Sequence, residues 1–406
     1  MAPDAIQADS ESTAAAALDR APIFDGHNDL AIHYARTEPR WSLERLDIAT
    51  ALPGQSDLPR MRQGQVGGAL VTVSSGLDTT AKRHFPALLA SFDWFDRLVA
   101  ANPGRLIHAR TASDLREARD AGRIAFMMAI EGGDQIDGSL DNLRAAHARG
   151  VRSMTIVYDH HNVIGDGAMA FPSSIEAAGP AAGGLTCFGR EVVAEMNRLG
   201  LIVDLSHAAG TTARDAMAAS AAPVLFSHSG ARALADSPRN LEEVTLVDLR
   251  NNGGMVMVPL APYLTTHESW RWFMAGEANF ARLKRIYGSD KERISREAAA
   301  WDAANPPPPV SIAHVADQIE HIASRIGRDR VGIGSDFDGI GGFVIPDLAD
   351  VTALPDLFTE LARRGWSRPE LEGLSSRNFE RLLRSVEAAS RKLRTGSSTP
   401  ARTRPC

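Results

Sequence analysis

Short apolar runs alternate with longer amphipathic stretches along most of the chain. The runs are 22–24 (PIF), 68–73 (GALVTV), 124–130 (IAFMMAI), 151–157 (VRSMTIV), 201–205 (LIVDL), 223–226 (PVLF), 254–258 (GMVMV) and 331–334 (VGIG). Each has strand length and is mostly apolar, the pattern of a strand buried on both faces. Between them, stretches such as 86–100, 140–149, 188–199, 241–251 and 314–326 carry apolar residues at three- and four-residue spacing and predict helices. Strand and helix in regular alternation imply a parallel sheet. Eight strands favour a closed (β/α)8 TIM barrel, and no glycine-rich dinucleotide fingerprint follows the first strand to support an open doubly wound sheet.

Three departures, one internal and two terminal, matter. Residues 264–309 hold two amphipathic helical stretches closed by four prolines, too long for a barrel loop. They read as an inserted lid or interface element, with Trp270, Trp272 and Phe273 as its core, and a homodimer is expected. Residues 1–20 are small, polar and acidic, and 387–406 are basic and rich in Ser, Thr and Pro. Both are expected to be disordered, flanking a single domain over 21–386.

Composition narrows the function classes. Hydrophobic content of 44% over 406 residues supplies an ordinary globular core. The net charge of −6, with Lys and Arg scattered outside the tail, speaks against a nucleic-acid surface. No run approaches the roughly 20 apolar residues of a membrane span. The N-terminus has no basic start or apolar core of a signal peptide, so the cytoplasm is the default location. Two cysteines, Cys187 and Cys406, give no disulfide framework and no thiolate metal site.

The chemistry lies at the ends of the predicted strands. In a barrel the loops after the strands line one shared mouth. After the first strand come His27 and Asp29, and after the third comes Glu131. The fourth is followed by Tyr158, the fifth by His207, the sixth by His228 and the eighth by Asp336 and Asp338. One His-x-Asp would be ordinary turn chemistry, but six strands delivering polar groups to one end are a pattern. Imidazole and carboxylate hold divalent ions in open catalytic sites. Three His with an Asp and a Glu exceed the needs of one four-coordinate ion and suit a bridged pair about 3.5–4 Å apart. Asp338 reads as shaping its turn, and Asp204 and Ser206 as packing or orienting groups.

The stretches "DGHNDL", "AIEGGDQIDGSLDNLRAAHARGVR", "GGLTCFGREVVAEMNRLGLIVDLSHA", "PVLFSHSGARAL", "PRN" and "RVGIGSDFDG" occur in order and together resemble the renal (membrane) dipeptidase family of the metal-dependent amidohydrolases. The similarity runs from about residue 22 to 385. It implies a zinc-dependent dipeptidase with two Zn2+. His27 and Asp29 would bind one ion, His207 and His228 the other, and Glu131 would bridge them. It further implies that Asp336 is the acid/base and that Arg239 holds the substrate's terminal carboxylate. The family hydrolyses dipeptides, often with a D- or dehydro-residue at the C-terminal position. Tyr158 departs from the pattern, standing where the mammalian enzymes carry a histidine beside the scissile carbonyl. Hydrolysis of another small amide, N-acyl amino acid or lactam is the alternative within enzymes. A metal-holding scaffold without turnover is the rival class.

Overall fold

A computed structural model describes residues 3–74, 84–168 and 181–396. Nine parallel strands form: β1 (Ile23–Asn28), β2 (Val66–Val73), β3 (Leu106–His108), β4 (Ile124–Ile130), β5 (Val151–Thr155), β6 (Ile202–Asp204), β7 (Leu225–Phe226), β8 (Met255–Val258) and β9 (Val331–Ile333). Eight of them close a barrel, because β2 pairs directly with β4 and β9 returns to β1. The eight are the predicted ones. The additional strand, β3, is three residues long and pairs only with β4 on the outside of the ring. Helices surround the barrel, giving the expected (β/α)8 class.

Alternation along the strands separates two cores. On β4, Ile124, Phe126, Met128 and Ile130 pack outward under the helices, while Ala125, Met127 and Ala129 join Phe24, Leu70, Ile202, Leu225 and Met255 inside the ring. The C-terminal helix Asn378–Arg394 closes the N-terminal end of the barrel, where Phe379 stacks on Phe24 with ring centroids 4.1 Å apart. The lower half is therefore a packed plug, and the opposite end is left for polar groups.

The insertion folds as two helices, His267–Tyr287 and Lys291–Ala304, packed on each other. Both expectations of terminal disorder need correction where the chain is described. Residues 3–20 form a helix whose Ala14, Ala17 and Leu18 are buried against the helices Leu354–Arg363 and Arg368–Glu372. Its alanines, part of a segment read as small, polar and acidic, are strong helix formers and small enough for close helix packing. At the other end the last helix runs on to Arg394, well past residue 386, and residues 397–406 lie outside the described part. Among the described residues no helix is long and apolar enough to cross a membrane.

Candidate metal centre

The strand phase explains how each polar side chain reaches the mouth. The inward positions 125, 127 and 129 of β4 lead to Glu131, the next on that face. On β1 the register to β2 slips between Asp25 and Asn28: Asp25 lies opposite Ala69 and Asn28 opposite Val71. One extra residue on β1 makes a bulge, which re-aims its side chains. His27 thus sits within the strand end, and its Nε2 lies 3.3 Å from Thr72 Oγ1 on the neighbouring strand. Buried Asp25 pins this bulge to the end of β9. Its carboxylate accepts from the Ser335 N–H at 2.7 Å, the Ser335 hydroxyl at 2.6 Å and Asn28 Nδ2 at 3.1 Å.

Three left-handed residues that are not glycine cluster here: His207, Asp336 and Asp338, with φ of 70°, 62° and 70°. Such conformations persist where surrounding contacts over-determine them. Asp338 Oδ1 accepts the Gln55 N–H at 2.6 Å and lies 3.1 Å from His33 Nε2, so it builds the turn. Gly339 has no room for a side chain, since a Cβ there would meet Asp29 Oδ2 and Asp336 Oδ1. Asp204 accepts from the N–H groups of Ser206 and Ser227, tying together the strand ends that carry His207 and His228.

One carboxylate oxygen is the focus. Glu131 Oε1 lies 3.0 Å from His207 Nε2, 3.4 Å from His27 Nε2 and 3.5 Å from His228 Nε2. His27 Nε2 is also 3.4 Å from Asp29 Oδ2. Candidate ligand atoms of His27, Glu131 and His228 lie within 4.8 Å of one another, and so do those of His27, Asp29 and Asp336. Asp336 therefore stands as close to the cluster as the expected ligands do. Tyr158 stacks on His207 with centroids 4.3 Å apart. Arg239 is buried, with Nη2 2.8 Å from His207 Nε2 and Nε 3.4 Å from Asp159 Oδ1. All eight residues singled out from the sequence for site roles thus meet at one mouth.

The hydrogen bonds show what the cluster is built to hold. His207 Nδ1 is 2.8 Å from Asp159 Oδ1, and His228 Nδ1 is 2.9 Å from Ser227 Oγ. A proton on Nδ1 of His207 leaves its Nε2 as a bare lone pair. Yet the two Nε2 atoms face each other at 2.9 Å, beside Glu131. Converging lone pairs and carboxylate oxygens call for positive charge between them. The site's field agrees. Burial alone would push the His27 imidazole down, but Asp29 and Glu131 outweigh it and hold its pKa at about 10. Burial would raise Glu131, but His27 and His207 draw it down to about 2. Burial raises the Asp336 carboxyl to about 7 against the pull of His27. The donor set fits divalent metal.

Asp159 was not singled out in the sequence, although it touches both His207 and Arg239. Its only signal in the sequence is a carboxylate directly following Tyr158. Tyr263, five residues beyond β8, was missed as well. Asp336 and Arg239 both act on the charge state of its buried hydroxyl.

A (β/α)8 barrel with imidazoles and carboxylates gathered at its C-terminal mouth defines a metal-dependent hydrolase. The chain belongs to the membrane dipeptidase family, peptidase family M19, whose sequence profile matches residues 11–397. It is an enzyme of that metallo-dipeptidase type. It is 32% identical to Dipeptidase verJ of Clonostachys rogersoniana over 95% of this chain and 89% of that protein. Among solved structures, the probable dipeptidase PvdM from Pseudomonas aeruginosa shares the fold, with a TM-score of 0.79 at 24% identity over 95% of this chain and 100% of that one. A metallo peptidase from Rhodobacter sphaeroides, solved with a phosphinate mimic of L-Ala-D-Ala, gives a TM-score of 0.71 at 26% identity. It covers 90% of this chain and 99% of that one.

Proposed function

We propose that the protein hydrolyses dipeptides at two zinc ions, held by His27 and Asp29 on one side and His207 and His228 on the other, with Glu131 between them. The observation that carries this reading is the convergence of three imidazole Nε2 atoms on one Glu131 oxygen. When bound, the ions supply Lewis-acid polarisation of the scissile carbonyl and a water made acidic enough to attack near neutral pH.

The chain's own residues do the rest. Arg239 recognises the substrate's free carboxylate. It is 5% exposed, and its Nη1 has no hydrogen-bond partner among the described residues, so a buried cation keeps one edge open beside the ligand set. A planar guanidinium takes a carboxylate through two parallel bonds, and a longer peptide has no free carboxylate at that distance from the scissile bond. Asp336 accepts the proton of the attacking water and returns it to the departing amine. Tyr158 donates to the oxygen of the tetrahedral intermediate. Burial and the negative charges of Glu131, Asp159 and Asp29 keep its phenol pKa well above the usual range, so the proton stays in place. A D- or dehydro-residue at the C-terminal position is accepted; the L-Ala-D-Ala mimic bound by the Rhodobacter relative supports this.

The test is elemental analysis of the purified protein together with turnover on a panel of dipeptides, their C-terminal amides and N-acyl amino acids. Two zinc ions per chain and cleavage confined to free-carboxylate dipeptides are expected. Full activity with one ion, or preference for N-acyl amino acids, would overturn the reading.

A further inference from the structure

The aromatic residues of the inserted hairpin pair with one another, Trp270 with Phe273 and Trp272 with Trp301, and also reach beyond it. The ring of Phe273, on the helix His267–Tyr287, stacks on Tyr263 with centroids 4.4 Å apart and planes at 24°. Phe343, on the loop after β9, meets Tyr263, Phe273 and Trp272 edge-on at 6.4, 5.5 and 5.8 Å. Three separate segments thus build one aromatic surface: the turn after β8, the hairpin, and the loop that begins at Asp336.

This surface is joined to the reaction centre by backbone. The Leu260 N–H donates to the Ser335 carbonyl at 3.0 Å, so the approach to Tyr263 runs beside the residue preceding Asp336. On the other side the Asn240 side chain donates to the Leu264 carbonyl at 3.0 Å, which ties the residue after Tyr263 to the residue after Arg239. Phe343 is 40% exposed and its neighbour Val344 37%, so large apolar groups are left open on this surface. Contiguous exposed apolar surface marks ligand-binding grooves and interaction sites.

Resting on the dipeptidase reading above, we infer that Tyr263, Phe273 and Phe343 form the wall that receives the side chain of the substrate's C-terminal residue, and that this residue is preferred bulky and apolar. The assignment to that residue follows from the neighbours. Asp336 serves the departing nitrogen and Arg239 the carboxylate, and the atom joining those two groups is the Cα of the C-terminal residue. A surface adjoining both faces the side chain borne on that carbon. Aromatic rings favour apolar and aromatic partners by burial and by stacked or edge-on contacts.

The experiment compares kcat/KM of the metal-loaded wild type and Phe343→Ala on Ala-Phe, Ala-Gly and Phe-Ala. Phe343 is two-fifths open on a loop, so truncation leaves the core untouched. Tyr263→Phe, which keeps the ring, serves as a second variant and should retain the preference for Ala-Phe over Ala-Gly. Phe343→Ala is expected to lose about tenfold on Ala-Phe, a step of roughly 1.4 kcal/mol, and less than about twofold on the other two peptides. Equal losses on all three, no loss at all, or a loss confined to Phe-Ala would overturn the inference while leaving the dipeptidase reading intact. A wild type that cleaves none of the three would overturn both.

Discussion

Asp159→Asn is the substitution that most sharply separates an orienting carboxylate from a passive one. Asp159 is 4% exposed, so its charge is held in the protein with two partners only a side chain away. It fixes the His207 tautomer through the 2.8 Å contact to Nδ1, and it faces the Arg239 Nε at 3.4 Å. Burial and Arg239 lower the basicity of His207, and Asp159 with Glu131 more than restores it. Asparagine keeps the size but removes the charge. Both partners face the same oxygen, Oδ1, so the amide oxygen can take its place only as a neutral acceptor, and an amide turned the other way sets its NH2 against His207 Nδ1–H and Arg239. Partners of this kind are worth about 10–100-fold in metal affinity or activity, or about 1.4–2.7 kcal/mol. With a buried guanidinium also losing its counter-charge, the upper half of that range is expected. Competition between the protein and a calibrated chelator gives the affinity for metal, and kcat/KM on a good dipeptide gives the activity. If both stay within about twofold of wild type in a protein of unchanged melting temperature, Asp159 does not orient His207 and the argument from tautomer to metal fails.

Four further outcomes are expected. Arg239→Met should cost about 2–5 kcal/mol in kcat/KM on a dipeptide, and far less on its C-terminal amide; equal losses on the two would remove Arg239 from carboxylate recognition. His228→Ala should retain one ion fewer per chain by elemental analysis, and a protein that still holds the wild-type complement would take His228 out of the ligand set. Asp336→Asn should keep its metal and lower kcat by about 10²–10⁴-fold, whereas near-normal turnover would assign the proton transfers elsewhere. His108, packed edge-on against Phe95 and near Arg110, is held neutral by burial and by that cation, with its pKa lowered to about 4. Because the unfolded imidazole binds its proton near 6.5, stability should fall as pH drops from about 6.5 to about 4 and level off below. The two pKa values, at roughly 1.4 kcal/mol per unit, make this about 3 kcal/mol. His108→Gln should flatten that limb in urea melts, and parallel pH profiles for wild type and variant would refute the assignment.

The barrel was legible because each of its eight strands carries a short, mostly apolar run, whatever its neighbours do. The strand β3 escaped because three residues on the outside of the ring carry no periodicity. The N-terminal helix escaped for the opposite reason: its buried face, Ser10, Ala14, Ala17 and Leu18, is made mostly of small residues, which composition counts as featureless although they pack closely. The same division runs through the site. Residues whose donor atoms converge at the mouth, such as His27 and Glu131, sit at strand ends, and strand ends are visible in sequence. Their orientation depends on features that are not, such as the bulge between Asp25 and Asn28. Asp159 and Tyr263 act through space on residues from other strands, His207 and Arg239 in one case and Phe273 and Phe343 in the other. No linear spacing encodes such a contact. The ligands of this centre are a property of the fold's local ends, whereas its substrate preference is a property of how three loops meet. Exchange of the loop around Phe343 should therefore alter which dipeptides are taken while the ligand set at the strand ends stays as it is.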